Sequence, residues 1–402
     1  MLTDEEIEKL IRPFVERQQV IDSYVINQIA KKIKEVGELS PKDVYRLTRL
    51  FKNGSDVRAI NKQIAKMADV QEKAVKKMVK EVAVNTYADA KPFYDYRHKT
   101  QLPYKKNKRL QQTIKAISDE TGGTFHNIAD SRATGFLIRD PKRPMTKKFQ
   151  TLPETYQSCI DEAVQAVQSG AMDFETAMKR TLKQLNESGF RRAYWESGYS
   201  RRLDSTVRMN ILEGLKKLNQ QIQAQIGEEI GADAVELSAH DFAAPDHEPI
   251  QGRAFTIENF EKLQSNKPFE DIYGNKFGAI RRAIGTWNCK HFIQYVVLAK
   301  YKPVWNPQDL DELKARNEQG YTTKDGKHYT MYECTQVQRK YETDIRYAKE
   351  GYMMAKSANN KQLMAEYEAK LSRLQKEYNA FSKACGLSKK KKRVQVSGFS
   401  TN

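Results

Sequence analysis

Three of the six histidines and one of the four cysteines fall between Ser238 and His291. His240, His247, Cys289 and His291 are the residues whose types could do chemistry. Thiolate and imidazole together suit zinc, which takes four such ligands in a tetrahedron, and two pairs from separate loops would staple a small domain. The spacing matches no ordinary zinc motif: six residues separate the two histidines, one separates Cys289 from His291, and no Cys-x-x-Cys occurs. Residues two apart on an extended strand share a face, so Cys289 and His291 can still converge. A catalytic reading makes Cys289 a nucleophile, or a histidine a general base oriented by Asp241 or Asp246. The chain has no phosphate-binding glycine loop, paired-carboxylate signature or nucleophile elbow, and no residue is assigned to catalysis. The third reading is structural, with His240 and His247 bonding loop backbone, Trp287 filling the core and Cys289 buried.

The elements around this stretch read as helices. Leu10, Phe14, Ile21, Val25 and Ile29 recur at helical spacing, as do Ile60, Ile64, Met67, Val75 and Val79. A further helix is expected to open at Ser40-Pro41. Another stripe runs from Leu203 through Val207, Ile211, Leu215, Leu218 and Ile222. Phe292 to Leu298 is β-branched and aromatic, and reads as a buried strand. Leu363, Tyr367, Leu371, Leu374, Tyr378, Phe381 and Cys385 form the seam of a coiled coil or helical hairpin turning at Asn359-Asn360. The expected fold is therefore mainly α with a small α+β domain. Its order is an N-terminal helical region (1–90), a basic and partly irregular connector (91–150), a helical bundle (151–232), a compact α+β domain (233–305), a linker (306–332), the hairpin (333–386) and a basic tail (387–402).

The formal net charge is +18 on 402 residues, which is most easily understood if the partner is a polyanion. Residues 97–148 hold thirteen Lys or Arg against four Asp or Glu, so +9 lies there. Lys105, Lys106, Lys108 and Arg109 are candidate phosphate contacts, with Tyr94, Tyr96, Tyr104 and Phe125 available for stacking. Lys389, Lys390, Lys391, Lys392 and Arg393 read as a mobile cationic arm suited to DNA. No apolar run is long enough to span a bilayer, the acidic opening does not read as a signal peptide, and scattered cysteines suggest a reducing cytosol.

Ser238-Ala239-His240, Asp246-His247, Gln251-Gly252-Arg253 and Trp287-Asn288-Cys289-Lys290-His291 together resemble the signature of minor capsid proteins of tailed bacteriophages. The likeness is to the phage minor capsid protein 2 family and, more distantly, to Mu F-like head morphogenesis proteins. It covers about residues 1–300, with Ser238, Gln251, Gly252, Trp287 and Asn288 as the structural residues of the motif. The resemblance implies a non-enzymatic virion protein, made in the host cytoplasm, inside the head at the portal vertex. Its implied partners are the portal protein, other head proteins and double-stranded DNA bound without sequence preference, with no membrane. No cofactor is expected unless the His/Cys set holds zinc. The alternative is a nuclease or toxin-like effector carried by the head.

Overall fold

Apolar side chains at three- and four-residue intervals wind most of the chain into helices. The computed structural model describes residues 4–37, 55–134, 136–140, 143–169, 173–194, 200–286 and 289–400. The helix expected from Ser40-Pro41, and Trp287 and Asn288 of the motif, lie outside the described residues. In chain order, helices α1 (Asp4–Gly37), α2 (Ser55–Ala88), α3 (Lys91–Tyr96) and α4 (Lys108–Thr134) come first. A hairpin of β1 (Phe136–Asp140) and β2 (Arg143–Gln150) follows, then α5 (Leu152–Ser169) and α6 (Phe174–Asn186). Strands β3 (Arg192–Tyr194) and β4 (Ser200–Arg202) lead into α7 (Leu203–Ile230), β5 (Ala234–Leu237), β6 (Ala254–Thr256) and α8 (Ile257–Gln264). After β7 (Phe269–Glu270), β8 (Lys276–Phe277) and β9 (Ile293–Val296) come α9 (Pro307–Gln319), β10 (Tyr321–Thr322), β11 (His328–Tyr329), α10 (Met331–Ser357) and α11 (Lys361–Ala384). The fold is mainly α with small antiparallel sheets.

Two differences from the sequence reading concern residues 91–150 and 306–332. The expected basic connector is largely regular: a 27-residue helix and a β-hairpin fill most of it. Leu110, Ile114 and Ile117 are a buried stripe inside its charge run. The expected linker opens with α9, started by a capping box in which Asn306 accepts from the Asp309 amide and the Asp309 carboxylate answers the Asn306 amide.

The chain forms two compact units, each assembled from three stretches. The first takes Met1–Ile11, Glu72–Gly123 and Met209–Val337. Its centre is the sheet β6-β5-β9, antiparallel throughout, with β5 buried along its whole length. Val235, Leu237, Phe255, Phe260, Leu263 and Ile293 form the core on it, and Phe255 meets Phe269 edge-on at 5.5 Å. The free edge of β9 is finished by a helix rather than a strand. Asn219 Oδ1 accepts from the Ile293 amide (3.1 Å) and Gln223 Oε1 from the Tyr295 amide (3.1 Å). Four residues along a helix advance about 6 Å, and two along a strand about 6.8 Å, so an i,i+4 pair on α7 matches an i,i+2 pair on β9. Gly227 lets the helix come this close, because a Cβ there would stand 2.2 Å from the Tyr295 ring.

The second unit takes Arg12–Gln71, Thr124–Arg208 and Gln338–Asn402. Val25, Ile26 and Ile29, at adjoining positions on the buried side of α1, share one core with Ile60, Ile160, Leu182 and Tyr367. Helices α10 and α11 are the expected hairpin. Asn359 takes a left-handed φ of +55° in the turn, and Asn360 caps α11 by accepting from the Leu363 amide (2.8 Å). Leu363, Tyr367, Leu371, Leu374 and Tyr378 are all buried along the seam. The tail is not a mobile arm. Tyr378 Oη accepts from the Lys390 amide (2.8 Å), Arg346 donates to the Arg393 carbonyl (2.6 Å), and Lys349 donates to the Val394 carbonyl (2.8 Å).

A buried ionic cluster ties this unit together. Arg202 donates to both oxygens of Glu350 (3.1 and 2.7 Å) and to both oxygens of Asp204 (3.1 and 3.2 Å). Arg346 stands 3.2 Å from Asp204 and Arg191 3.5 Å from Glu350. Burial alone would raise the Asp204 carboxyl, but the guanidiniums of Arg202 and Arg346 hold it well below the usual carboxylate range.

Candidate functional site

Antiparallel pairing decides where the histidines meet. The exit of β5, the entry of β6 and the entry of β9 lie at one end of the sheet. Leu237 pairs with Ile293, and its amide donates to the Arg253 carbonyl (2.9 Å). Ser238 extends the pairing by one residue: its amide donates to the Phe292 carbonyl and its Oγ accepts from the Phe292 amide, each at 2.9 Å. The loops carrying His240, His247 and Cys289-Lys290-His291 therefore emerge side by side.

Gln251 and Gly252 hold those loops. Buried Gln251 accepts from the His240 amide through Oε1 (3.0 Å) and donates its own amide to the His247 carbonyl (3.0 Å). Gly252 sits at φ +69°, where a Cβ would also meet Leu310 at 2.5 Å, so only glycine fits. Gly285, at φ +86°, turns the chain into Cys289 and points its amide at Sγ (3.3 Å).

Ligand-type atoms of His247, Cys289 and His291 all lie within 4.8 Å of one another, and each residue is at most 2% exposed. Cys289 Sγ is 3.6 Å from His291 Nδ1. The His291 ring centroid is 5.3 Å from that of His247 and 4.7 Å from that of half-buried His240. His240 Nδ1 donates to the Asp241 carbonyl (3.0 Å). His247 Nε2 donates to the Arg282 carbonyl (2.8 Å), and Arg282 is itself clamped by both oxygens of Asp246 at 2.7 Å. In the neutral ring, that bond leaves Nδ1 of His247 with the lone pair.

The electrostatics separate the three. Burial would raise the Cys289 thiol, yet the hydrogen bond from His247, the charge of Lys216 and the Gly285 amide bring it below its usual value. Burial would lower His247, and the Cys289 sulfur, the Arg282 carbonyl and Asp246 raise it instead. His291 is held well below the usual imidazole range, first by burial and then by the positive groups around it. These directions set a more acidic thiol beside a more basic imidazole, with a less basic ring next to them. The cluster is a set of soft and borderline donors closed off from solvent.

The sequence reading did not find Arg282, Lys216 or Gln220, whose Nε2 donates to the Ile284 carbonyl (3.0 Å) next to Gly285. Only the alternation of polar and apolar residues on α7 hints that its Asn and Gln face the sheet.

The basic candidates fare unevenly. In the first unit Lys105, Lys106 and Lys108 are exposed, while Arg109 is bound by Glu228, its Nη2 donating to Oε1 at 3.1 Å. Tyr94 is not available for stacking: it is 1% exposed and bonded to Tyr87 and Glu229. In the second unit Phe125 is likewise buried, stacked on Phe14. Lys389 to Lys392 are exposed there, and Arg393 is half-buried, 4.0 Å from Glu342.

Against known families, the model for phage minor capsid protein 2 matches residues 2–383. The chain belongs to that family. A phage minor capsid protein is a structural protein of the phage head, and it works among other head proteins. No curated protein and no solved structure matches the chain. No described helix of this minor capsid protein is long and apolar enough to cross a membrane.

Proposed function

We propose that this minor capsid protein sits inside the head at the portal vertex, contacts the portal protein, and binds packaged double-stranded DNA without sequence preference. The observation that carries the DNA part is the row Lys389 to Lys392, four exposed ammonium groups on a backbone pinned to the helical hairpin. Preplaced cations lose less entropy on meeting phosphates than a free tail would. The exposed Lys105, Lys106 and Lys108 of the first unit, and the formal charge of +18, support the same reading. We read the protein as non-enzymatic: its thiol and two of its three clustered imidazoles are too buried to meet a macromolecular substrate.

The test is DNA affinity as a function of salt. Each phosphate contact contributes about −0.9 to the slope of log K against log salt, so replacing Lys389 to Lys392 by Ala should flatten it by up to about 3.6. Sequence-scrambled duplexes should bind alike. A slope that the four substitutions leave unchanged would remove the tail from the proposal.

A further inference from the structure

We infer that His247, Cys289 and His291, completed by His240, form a structural zinc site that fastens the three loops at the end of the β6-β5-β9 sheet. Three observations carry this. First, one thiol and two imidazoles converge within 4.8 Å of one another in a buried position. Second, the Sγ to Nδ1 separation of 3.6 Å between Cys289 and His291 suits a shared metal. Zinc at about 2.3 Å from sulfur and about 2.0–2.1 Å from nitrogen, with a tetrahedral angle, sets that edge near 3.5–3.6 Å.

Third, the surroundings are those of ligands. His247 gives Nε2–H to the Arg282 carbonyl and His240 gives Nδ1–H to the Asp241 carbonyl. Each bond fixes a tautomer and leaves the other nitrogen with its lone pair, the usual outer-shell arrangement around a metal-bound histidine. The Asp246 clamp on Arg282 holds the first of these carbonyls in place.

The donor set narrows the metal. A thiolate with imidazoles suits zinc and disfavours magnesium or calcium, which take oxygen ligands. A cysteine binds zinc as the thiolate, so uptake of zinc by the protonated thiol releases a proton to solvent.

The experiment uses the full-length protein, purified without chelator and analysed for metal. About one zinc per chain is expected, with loss of most of it in Cys289→Ser and His291→Ala. His240→Ala should retain the metal but release it to a chelator at least about tenfold faster. Cobalt replacing zinc should give the intense visible bands of a tetrahedral site and a thiolate-to-cobalt charge-transfer band that Cys289→Ser abolishes. Because those variants could fail to fold, the wild-type protein is also melted with and without chelator, where metal removal should lower the midpoint by several degrees. The inference is overturned by wild-type protein that takes up no zinc after refolding with it, by a cobalt spectrum without the thiolate band, or by a melt indifferent to chelator. Chelator release unchanged in His240→Ala would overturn its place as the fourth ligand.

Discussion

Glu350→Ala should destabilise the second unit severely. The Glu350 side chain is 1% exposed, accepts two hydrogen bonds from Arg202, and lies 3.5 Å from Arg191. The cluster sets three guanidiniums, Arg191, Arg202 and Arg346, against two carboxylates, Asp204 and Glu350. Removing the Glu350 carboxylate leaves Arg202 and Arg346 to share Asp204, and Arg191 with its bond to Asn186 (3.0 Å) in place of an anion. Breaking a buried pair in this way costs about 3–5 kcal/mol. For a unit of roughly 200 residues, that lowers the melting midpoint by about 6–20 °C, at about 2–4 °C per kcal/mol. Calorimetry and denaturant titration would measure it. Replacing both partners, Arg202→Met with Glu350→Leu, should cost less than the sum of the single changes by at least about 1 kcal/mol. A Glu350→Ala loss below about 1 kcal/mol, or strict additivity, would refute the argument that the cluster stabilises through mutual neutralisation.

The same physics sets the other expected outcomes. The Asp204 carboxyl is lower in the folded state than unfolded, so its contribution is complete above about pH 4 and disappears as pH falls below that value toward the folded one. Acid titration of Asp204→Asn should therefore show a shallower loss of stability below about pH 4 than the wild type. Gly227→Ala should cost about 1–3 kcal/mol by driving a methyl into Tyr295, read as a lower denaturant midpoint. Asn360→Ala removes the cap of α11 and should cost about 1 kcal/mol, with Asn360→Asp close to neutral. Plasmid nicking by the purified protein, with Mg²⁺ or Zn²⁺, should stay at background.

Long apolar stripes made most of the fold legible. The seam from Leu363 to Tyr378 and the stripe from Val207 to Ile222 are buried where spacing put them, because each follows from helix geometry alone. The stripe Leu110, Ile114, Ile117 was hidden by surrounding Lys and Arg, so α4 looked like a connector. The expected linker (306–332) opened on Asn306-Pro307, which with Asp309 is a helix start. The meeting of His240, His247, Cys289 and His291 was not legible from their spacing. It depends on the register of β5 against β9, a pairing between residues 56 or more apart, and on an edge closed by Asn219 and Gln223. Tyr94 and Phe125 show the same limit: aromatic type suggested stacking partners, and packing decided otherwise.

The second unit has a temporal consequence. Its last stretch carries Glu350 and Tyr367, yet about 130 residues of the first unit are translated between Arg208 and Gln338. At about 5–20 residues per second, the ribosome takes on the order of 10 s to cross that interval. Throughout it, Ile29, Ile160 and Leu182 await the hairpin that will cover them, and Arg202 awaits its second carboxylate. The nascent chain thus exposes an incomplete core for many seconds, a window in which chaperone capture competes with aggregation.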